Sequence, residues 1–336
     1  MERQWEDIIG HEEKKRALRT MLHEGRLPHA LLFAGPDGIG KKMLGRVLAA
    51  ALLCEADDGP CGRCDSCQAF ARGAHPDYIE VVPEKNGKSA AQIRIEAIRA
   101  MQTQVSRYPV LSKRRVVLID DADCMNEAAE NSLLKTLEEP EGPVTFILVT
   151  SARSALLDTI LSRCMLVSFG MLSVDEVREV LRQQDVPEDT AGELASLSDG
   201  SPGRALALLA HDGLQLRDEA LAFLQVLPHL DMEKIWTKSA EMGERDREVL
   251  REWFLYLNML LRDLLVLSED GASPLIYHQD IREKLLALLP VYPEYIVFSL
   301  LREVREAQKR LQSNASLRLL LEGFFIRTRD IMARVS

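Results

Sequence analysis

A chain of 336 residues is long enough for two or three domains with a substantial hydrophobic core. Its hydrophobic fraction of 46% and charged fraction of 28% are ordinary for a soluble globular protein, and no apolar run reaches membrane-spanning length. The formal net charge of −10 argues against a protein that coats nucleic acid with its whole surface. Any contact with DNA is therefore expected to be local, or shared with other chains.

The first 168 residues alternate short apolar strands with helices, which is typical of a parallel α/β sheet. After Ser173 the pattern predicts only helices, ending in long amphipathic ones that are typical of a helical bundle. On those helices Trp236, Trp253 and Phe254 are expected to lie in the core. The predicted strands cover residues 29–34, 78–82, 115–119, 145–150 and 165–168, and the predicted helices cover 41–53, 91–105, 126–137, 154–161, 174–184 and 188–197.

A glycine-rich segment follows the first strand and opens the next helix, which is the context that a phosphate-binding loop requires. Gly35, Gly38 and Gly40 let backbone N–H groups curl around phosphates, and Lys41 is expected to reach the β- and γ-phosphates. The next position normally holds Ser or Thr, whose hydroxyl binds Mg²⁺. Here it is Lys42, and an ammonium repels Mg²⁺. The segment therefore predicts an ATP site at which metal-assisted hydrolysis is in doubt.

An acidic run follows the strand at residues 115–119. Asp120 fits the carboxylate that supports Mg²⁺ beside a phosphate loop. The next residue in working ATPases of this layout is usually Glu, which orients the attacking water, and here it is the shorter Asp121. Like Lys42, this departure from the pattern of working ATPases indicates that ATP hydrolysis is in doubt. For Asp121 and Asp123 a role as turn and helix-cap residues is equally open.

Four cysteines lie close together after the helix that follows the phosphate loop. Cys54, Cys61, Cys64 and Cys67 have the spacing of ligands for one tetrahedral Zn²⁺. Disulfides are disfavoured because nothing at the N-terminus resembles a signal peptide and a chain with a nucleotide loop is expected in the reducing cytoplasm. An iron–sulfur cluster is disfavoured because no cysteine-proline pair follows Cys67. With four protein ligands, the predicted zinc is structural.

With these motifs identified, the chain closely resembles the delta-prime family of subunits of the bacterial DNA polymerase III clamp loader, within the AAA+ superfamily. The resemblance covers essentially the whole chain, most specifically residues 1–170. The resemblance rests first on the phosphate loop and on the four-cysteine segment 54–67, here called the knuckle. It also rests on residues 5–11, residues 131–140, Thr150-Ser151, Ser162-Arg163-Cys164, residues 200–204, and Asn314-Ala315-Ser316 through Glu322, where Ser316 replaces an Asn of the family pattern.

The resemblance implies α/β plus all-α architecture in three parts. These are an AAA+ P-loop domain over residues 1–170 that carries the zinc module at 54–67, a small helical lid over 171–211, and a helical collar for oligomerisation over 212–336. In this family Ile8 and Ile9 would bracket adenine and Arg204 would act as the sensor-2 arginine, although Arg204 could equally pair along its helix.

The resemblance also implies a role in replication. Such subunits sit in a pentameric ring with gamma/tau ATPase and delta subunits, act on a sliding clamp and on primed DNA through the complex, and are poor or inactive ATPases. Arg163 would then be an arginine finger that completes a neighbour's ATP site, the alternative being an ion pair within its own domain.

Two other functions remain open. One is a self-sufficient ATPase, the gamma/tau-like motor subunit of the same loader, which Lys42 and Asp121 disfavour. The other is a zinc-dependent DNA-binding module, which the negative net charge disfavours, because Arg63 is the one lysine or arginine within the knuckle. A direct DNA binder would lose affinity steeply as the salt concentration rises.

Overall fold

The computed structural model describes residues 4–85, 91–210, 213–273, 275–311 and 316–333. The predicted fold class is confirmed, because a parallel-sheet α/β region is followed by helices alone. The chain divides into two compact units, the first ending at Leu206 and the second continuing from Ala207.

A five-stranded parallel sheet forms the centre of the first unit, in the order β2-β3-β4-β1-β5. All residues of β1, β3 and β4 are buried, which explains their continuous apolar sequences, since helices cover both faces of such a sheet. The strands are β1 (Ala30–Ala34), β2 (Tyr78–Val81), β3 (Arg115–Ile119), β4 (Val144–Thr150) and β5 (Met165–Ser168).

Nine helices accompany this sheet among the described residues, and their apolar faces build two core clusters that divide between the two faces of the central strands. They are α1 (Glu12–His23), α2 (Lys41–Leu53), α3 (Asp65–Ala71), α4 (Ile95–Val105), α5 (Glu127–Glu138), α6 (Asp158–Leu161), α7 (Val174–Arg182), α8 (Glu188–Leu197) and α9 (Pro202–Ala210).

Two predicted helices begin later than expected. The prediction over 91–105 is wrong at its start, because Gln92 forms a bridge with Glu84 and Ile93 donates its N–H to the carbonyl of Cys124 at 2.9 Å. The prediction over 154–161 is also wrong at its start, because Arg153–Ala155 form a separate 3-10 turn and the N–H of Leu157 bonds to a Glu130 carboxylate oxygen at 2.9 Å before the α-helix begins. In both segments, contacts distant in sequence delay the start of the α-helix.

The second unit consists of helices packed around one large apolar cluster. Trp253 and Phe254 lie in it as predicted, with ring centroids 5.0 Å apart. The expectation for Trp236 is wrong, because 55% of it is exposed. The helices are α10 (Gly213–Val226), α11 (Met232–Gly243), α12 (Arg247–Glu269), α13 (Arg282–Leu286), α14 (Glu294–Leu311) and α15 (Leu317–Met332).

The predicted domain limits remain predictions. The boundary between residues 211 and 212 and the family-like pair Asn314-Ala315 lie outside the described residues, while Ser316 precedes α15 directly. Among the helices that the structure describes, none combines the length and the apolar character needed to cross a bilayer.

Candidate functional site

The phosphate loop lies at the carboxyl end of β1, between this strand and the first turn of α2. Gly38 and Gly40 have φ angles of 73° and 93°, a backbone region that glycine enters without steric cost. Lys41 is buried, and its ammonium donates to the carbonyl oxygen of Pro36 at 2.5 Å. Burial lowers the pKa of Lys41. The lysine is thus folded back against its own loop.

A cavity of about 390 Å³ opens beside this loop. That volume is within the range of about 300–1,000 Å³ found for small-molecule pockets. The structure brings most of the predicted nucleotide residues together here, but Arg204 and Gly35 are not among the described residues that line the cavity. The predicted residues on its wall are Ile8, Ile9, Gly38, Gly40, Lys41 and Asp120.

Lys42 forms an ion-pair network at the edge of this cavity. Its Nζ atom lies 2.9 Å from an oxygen of Asp120 and 2.9 Å from an oxygen of Glu80. Burial by itself would lower the pKa of Lys42, but the hydrogen bonds to both carboxylates hold it above its ordinary value. Burial would likewise raise the pKa of Glu80, and the bonds from Lys42 and Tyr78 lower it.

The sequence analysis missed Glu80, although a signal for it exists. In β2, Tyr78 and Glu80 share one face, and a carboxylate in a strand of a covered sheet needs a partner. Lys42 and Arg46 are one turn apart on α2 and supply two cations to it.

Two further acids follow Asp120. Asp121 adopts a left-handed φ of 45° and lies on the cavity wall. Burial raises the pKa of its carboxyl to about 6, with Asp120 and Asp123 adding repulsion. Asp123 accepts a bond from the Thr150 hydroxyl at 2.6 Å, so Thr150, at the end of β4, is held by an acid of its own chain.

The start of α9 lies directly against the phosphate loop. The N–H of Gly203 donates to the carbonyl of Gly38 at 2.8 Å, and the Ser201 hydroxyl donates to the carbonyl of Asp37 at 2.9 Å. A Cβ atom on Gly203 would stand 2.6 Å from the Gly38 Cα, closer than real Cβ contacts come. Arg204, next in sequence, has a guanidinium nitrogen 4.0 Å from an oxygen of Asp199.

Arg163 lies away from this cavity. It follows α6 and precedes β5, at the amino edge of the sheet, whereas the phosphate loop follows the carboxyl end of the neighbouring β1. Since Met165 pairs with Leu31, Arg163 and Gly35 are roughly 15–20 Å apart along the strand direction. Arg163 bonds to the carbonyl of Thr159 at 2.8 Å and forms an ion pair with Glu138. The internal pair that the sequence left open as an alternative is present.

The four predicted zinc ligands converge, with all four sulfurs within 4.8 Å of one another. The Cys54–Cys64 and Cys61–Cys67 sulfur distances are 3.9 and 4.0 Å. Sulfurs on a tetrahedral Zn²⁺ with bonds of about 2.3 Å are about 3.8 Å apart, so the donor set fits that ion. The N–H groups of Arg63 and Cys64 lower the pKa of the Cys61 thiol to about 6, whereas burial raises the pKa of the Cys54 and Cys67 thiols. Before a metal binds, the thiolate is therefore favoured at Cys61 and disfavoured at Cys54 and Cys67.

Trp5 joins this cysteine knuckle to the N-terminal segment. Its indole N–H donates to the carbonyl of Gly59, within the knuckle, at 2.9 Å, and its ring is almost fully buried. Three residues later Ile8 reaches the cavity wall, and the buried Lys15 donates to the Ile8 carbonyl at 2.6 Å. The knuckle therefore supports the backbone of the predicted adenine site.

Comparison with known proteins gives matches to subunits of DNA polymerase III. Residues 10–173 match the family model described as DNA polymerase III, delta subunit. The chain is similar to DNA polymerase III subunit delta' of Pseudomonas aeruginosa, at 41% identity over 72% of this chain and 74% of that protein. It is also similar to subunit delta' of Bacillus subtilis, at 31% identity over 91% of this chain and 92% of that one.

The chain is also similar to proteins that carry other names. DNA polymerase III subunit tau of Escherichia coli is 36% identical over 64% of this chain, which spans 33% of that longer protein. Among solved structures, a mutant of RuvB, the Holliday-junction branch migration motor of Thermotoga maritima, aligns with 95% of this chain and 90% of its own at 17% identity, with a TM-score of 0.47.

Proposed function

This chain belongs to the delta' family of DNA polymerase III subunits, and on that premise we propose that it is a clamp-loader subunit that helps to load a sliding clamp onto primed DNA during replication. Its proposed partners are the gamma/tau ATPase and delta subunits, the clamp, and DNA through the complex. It hydrolyses little or no ATP itself, and it supplies Arg163 as an arginine finger to a neighbouring subunit's ATP site.

The observation that carries the finger assignment is the position of Arg163 at the sheet edge opposite its own phosphate loop. At roughly 15–20 Å from Gly35 along the strands, its guanidinium cannot reach a phosphate held by its own loop. A site that receives Arg163 must therefore belong to another chain. A planar guanidinium suits that task because it offers two donors to the oxygens of the transferred phosphoryl group.

The ion pair with Glu138 is compatible with this role. Glu138 and Arg163 are both partly exposed, with 48% and 32% of their side chains accessible, and such pairs contribute only about 0–1 kcal/mol. Exchange of Glu138 for a phosphate oxygen therefore costs little. In the unassembled chain, the pair would hold the guanidinium near the position from which it is delivered.

A silent ATP site is supported by the contacts of Lys42. An ammonium lies where the hydroxyl of Ser or Thr would ligate Mg²⁺, and it bonds to Asp120, the acid expected to support that ion. The shorter Asp121 adds to the difficulty, because its carboxyl has a raised pKa and lies on an unusual left-handed turn.

The knuckle is proposed as a structural zinc site. Cys54, Cys61, Cys64 and Cys67 would fill all four positions of a tetrahedral ion, which leaves none for a substrate. When bound, the zinc would cross-link the segment after α2 to α3.

The finger is tested with two variants that break the same ion pair. Arg163→Ala and Glu138→Ala both remove the contact, so both should leave the melting temperature within a few degrees of wild type. Only Arg163→Ala removes the guanidinium. In a loader reconstituted with its ATPase subunits, DNA-dependent ATP hydrolysis should fall with Arg163→Ala by the share of the one site that Arg163 serves, because that site should slow by about 10³–10⁵ while the other sites keep their own rates.

Glu138→Ala is the matched control and should retain the hydrolysis rate. Arg163→Lys keeps the charge but loses the two-donor fork, so it should lie between wild type and Arg163→Ala. Equal rates for wild type and Arg163→Ala would exclude the finger and leave Arg163 as a surface ion-pair partner.

The similarity to tau favours one second candidate, an active gamma/tau-like motor subunit. The purified chain alone distinguishes the two, with Lys41→Ala as the control for contaminating ATPases. Turnover no higher than this control is expected for the silent subunit. Robust Mg²⁺-dependent hydrolysis that Lys41→Ala abolishes would instead support the active motor subunit. Loss of hydrolysis in Lys41→Ala would assign the activity to the phosphate loop of this chain, because that lysine contacts the phosphates of ATP.

A further inference from the structure

The first turn of α2 presents a cation to the two acids that flank it. The Nζ atom of Lys42 bridges Glu80 on β2 and Asp120 after β3, with both distances at 2.9 Å. Asp120 and Glu80 have only 15% and 21% of their side chains exposed, so solvent screens them poorly. An ion pair at such a site is strong enough to persist.

The positions of the two acids are set by the sheet. β2 and β3 are parallel neighbours, and the N–H of Asp120 donates to the carbonyl of Val81 at 2.9 Å, which extends the ladder by one residue. Glu80 is one residue before Val81, and its second oxygen accepts from the Tyr78 hydroxyl at 2.8 Å. Backbone pairing therefore fixes the main chain at both acids, and the Tyr78 hydroxyl also holds the carboxylate of Glu80.

The formal charges of the four side chains that contact one another here cancel, although Asp121 and Asp123 add negative charge near Asp120. Asp120 and Glu80 contribute two negative charges, while Lys42 and Arg46 contribute two positive ones, with an Arg46 nitrogen 3.4 Å from the second Glu80 oxygen. A divalent cation is held where carboxylate charge exceeds the local positive charge. No such excess remains between Asp120 and Glu80.

We infer that the Lys42 ammonium is a built-in replacement for the divalent metal ion of the nucleotide site, so that this cavity excludes Mg²⁺ and Mn²⁺, and any nucleotide that enters it does so without a metal. The inference deepens the proposed silent ATP site, and it rests on that proposal only in taking the cavity beside the loop as a nucleotide site. Lys42 is here a specificity-determining residue, since it decides which cation lies beside Asp120.

The test converts the site. Lys42→Ser restores the short hydroxyl of an ordinary phosphate loop and releases Asp120 and Glu80 to act as oxygen ligands. Free Mn²⁺, followed by its electron paramagnetic resonance signal, is titrated into the zinc-saturated full-length chain. Lys42→Ser should bind one additional Mn²⁺ at least tenfold more tightly than wild type, and Lys42→Ser with Asp120→Asn should lose that gain.

Lys42→Arg is the matched control, because it keeps the positive charge and should bind no more Mn²⁺ than wild type. Circular dichroism establishes whether each variant is folded. If Lys42→Ser does not fold, the comparison of Mn²⁺ binding by wild type and by Asp120→Asn still tests the inference. Equal binding supports it. Weaker binding by Asp120→Asn overturns it, because Asp120 would then be binding a metal in the wild-type protein despite the lysine.

A folded Lys42→Ser that gains no Mn²⁺ also overturns the inference, since the ammonium would not be what keeps the metal out. These results are independent of the proposed role in the loader. The Mn²⁺ titration uses the isolated chain without ATP, whereas the Arg163 experiment reads hydrolysis by the assembled complex, so either can fail while the other succeeds.

Discussion

At the scale of single residues, Asp121 bears an electrostatic penalty on the cavity wall, although the residue as a whole is exposed. Burial raises the pKa of its carboxyl to about 6, and the carboxylates of Asp120 and Asp123 add repulsion. The folded state therefore binds a proton more tightly than the unfolded chain, whose aspartates titrate near 4. By linkage, the folded state loses stability as the pH rises from about 4 through about 6.

We expect Asp121→Asn to remove this loss. Asn keeps the size of the side chain and tolerates the left-handed φ of 45°, so the backbone should not change. Urea denaturation below about pH 4 should give nearly equal stabilities, because Asp121 is then largely protonated in both the folded and the unfolded state. At pH 8 the variant should be more stable by a fraction of ~1 kcal/mol, since solvent screens this partly accessible group.

The control for Asp121→Asn is Asp57→Asn, a substitution at an exposed aspartate of the knuckle segment that should change neither value. A variant that is less stable than wild type at pH 8 would contradict the raised pKa, because it would mean that the Asp121 charge stabilises the fold.

The sequence predicts which residues are important at this site, but not which side chains they contact. Lys42 was recognised as an anomaly from its position alone, since phosphate loops have a fixed spacing. That Glu80 would meet it depends on β2 lying beside β3, which is a tertiary fact. The Arg163–Glu138 pair is similar, because it joins the end of α5 to the turn after α6, which only the folded structure brings together.

At the scale of structural elements, a buried aspartate fixes the segment between α4 and β3. The carboxylate of Asp77 is fully buried and accepts N–H bonds from Val110, Leu111 and Ser112 at 2.7, 2.7 and 2.8 Å. Burial would raise the pKa of Asp77, but these bonds hold it below its ordinary value. The segment keeps its shape although Tyr108 within it is 89% exposed.

We expect Asp77→Asn to destabilise the protein by about 2–4 kcal/mol at pH 7, because the amide cannot accept all of these bonds and leaves buried N–H groups unpaired. Since the pKa of Asp77 is depressed on folding, its contribution is present above about pH 4 and is lost as the pH falls below that value. Urea denaturation over a pH series measures the difference, which should shrink below pH 4.

Hydrogen exchange offers a second readout for Asp77→Asn, since the N–H groups of residues 110–112 should lose protection before the sheet does. Asp158→Asn, a substitution at an exposed aspartate in α6, is the control and should stay within about 0.5 kcal/mol of wild type. Unchanged protection at residues 110–112 would mean that the apolar contacts of the segment suffice to hold it.

The helices that the sequence predicted best are those with a local start signal. Ser173 forms a capping box with Glu176, and Asn126 caps α5 through the N–H of Ala129, both readable from neighbouring residues. Helix α4 lacks such a signal and begins where bridges to distant segments stop. On α11, Ile235, Ser239 and Met242 form the buried stripe, so Trp236 falls beside it rather than within it.

At the scale of the whole molecule, each compact unit has its own hydrophobic core. One cluster fills the second unit, and two others cover the sheet of the first. The two units also divide the tryptophans, since Trp5 belongs to the first and Trp236 and Trp253 to the second. A change confined to the knuckle should therefore alter the stability of the first unit and leave that of the second unit unchanged.

We expect removal of zinc, or Cys64→Ser, to destabilise the first unit alone. A structural metal contributes directly to folding energy, so the melting transition of the first unit should fall by at least about 5 °C. The transition of the second unit should not move. Differential scanning calorimetry of the full chain measures both transitions.

Cys124→Ser is the control for Cys64→Ser, because Cys124 lies outside the sulfur cluster. Wild-type melting combined with a specific loss of DNA or partner binding would overturn the structural role and make the knuckle a binding module.

Sequence also predicted the succession of strands and helices in the first unit, because periodicity and glycine motifs are local signals. It did not predict the sheet order β2-β3-β4-β1-β5, which sets the separation of Arg163 from the phosphate loop. Strand order depends on which surfaces pack together, and no short stretch of the chain encodes it.

The close approach of Gly203 to Gly38 has a consequence for how this part of the chain responds to ligands. A ligand can shift an equilibrium between two conformations only by as much as its affinities for them differ. Here Gly203 and Ser201 bond directly to carbonyl oxygens of the phosphate loop, so atoms of the chain itself hold the start of α9 against it. A nucleotide could change this arrangement only by binding more tightly to one in which these bonds are broken, and each broken bond would cost about 0.5–1.5 kcal/mol.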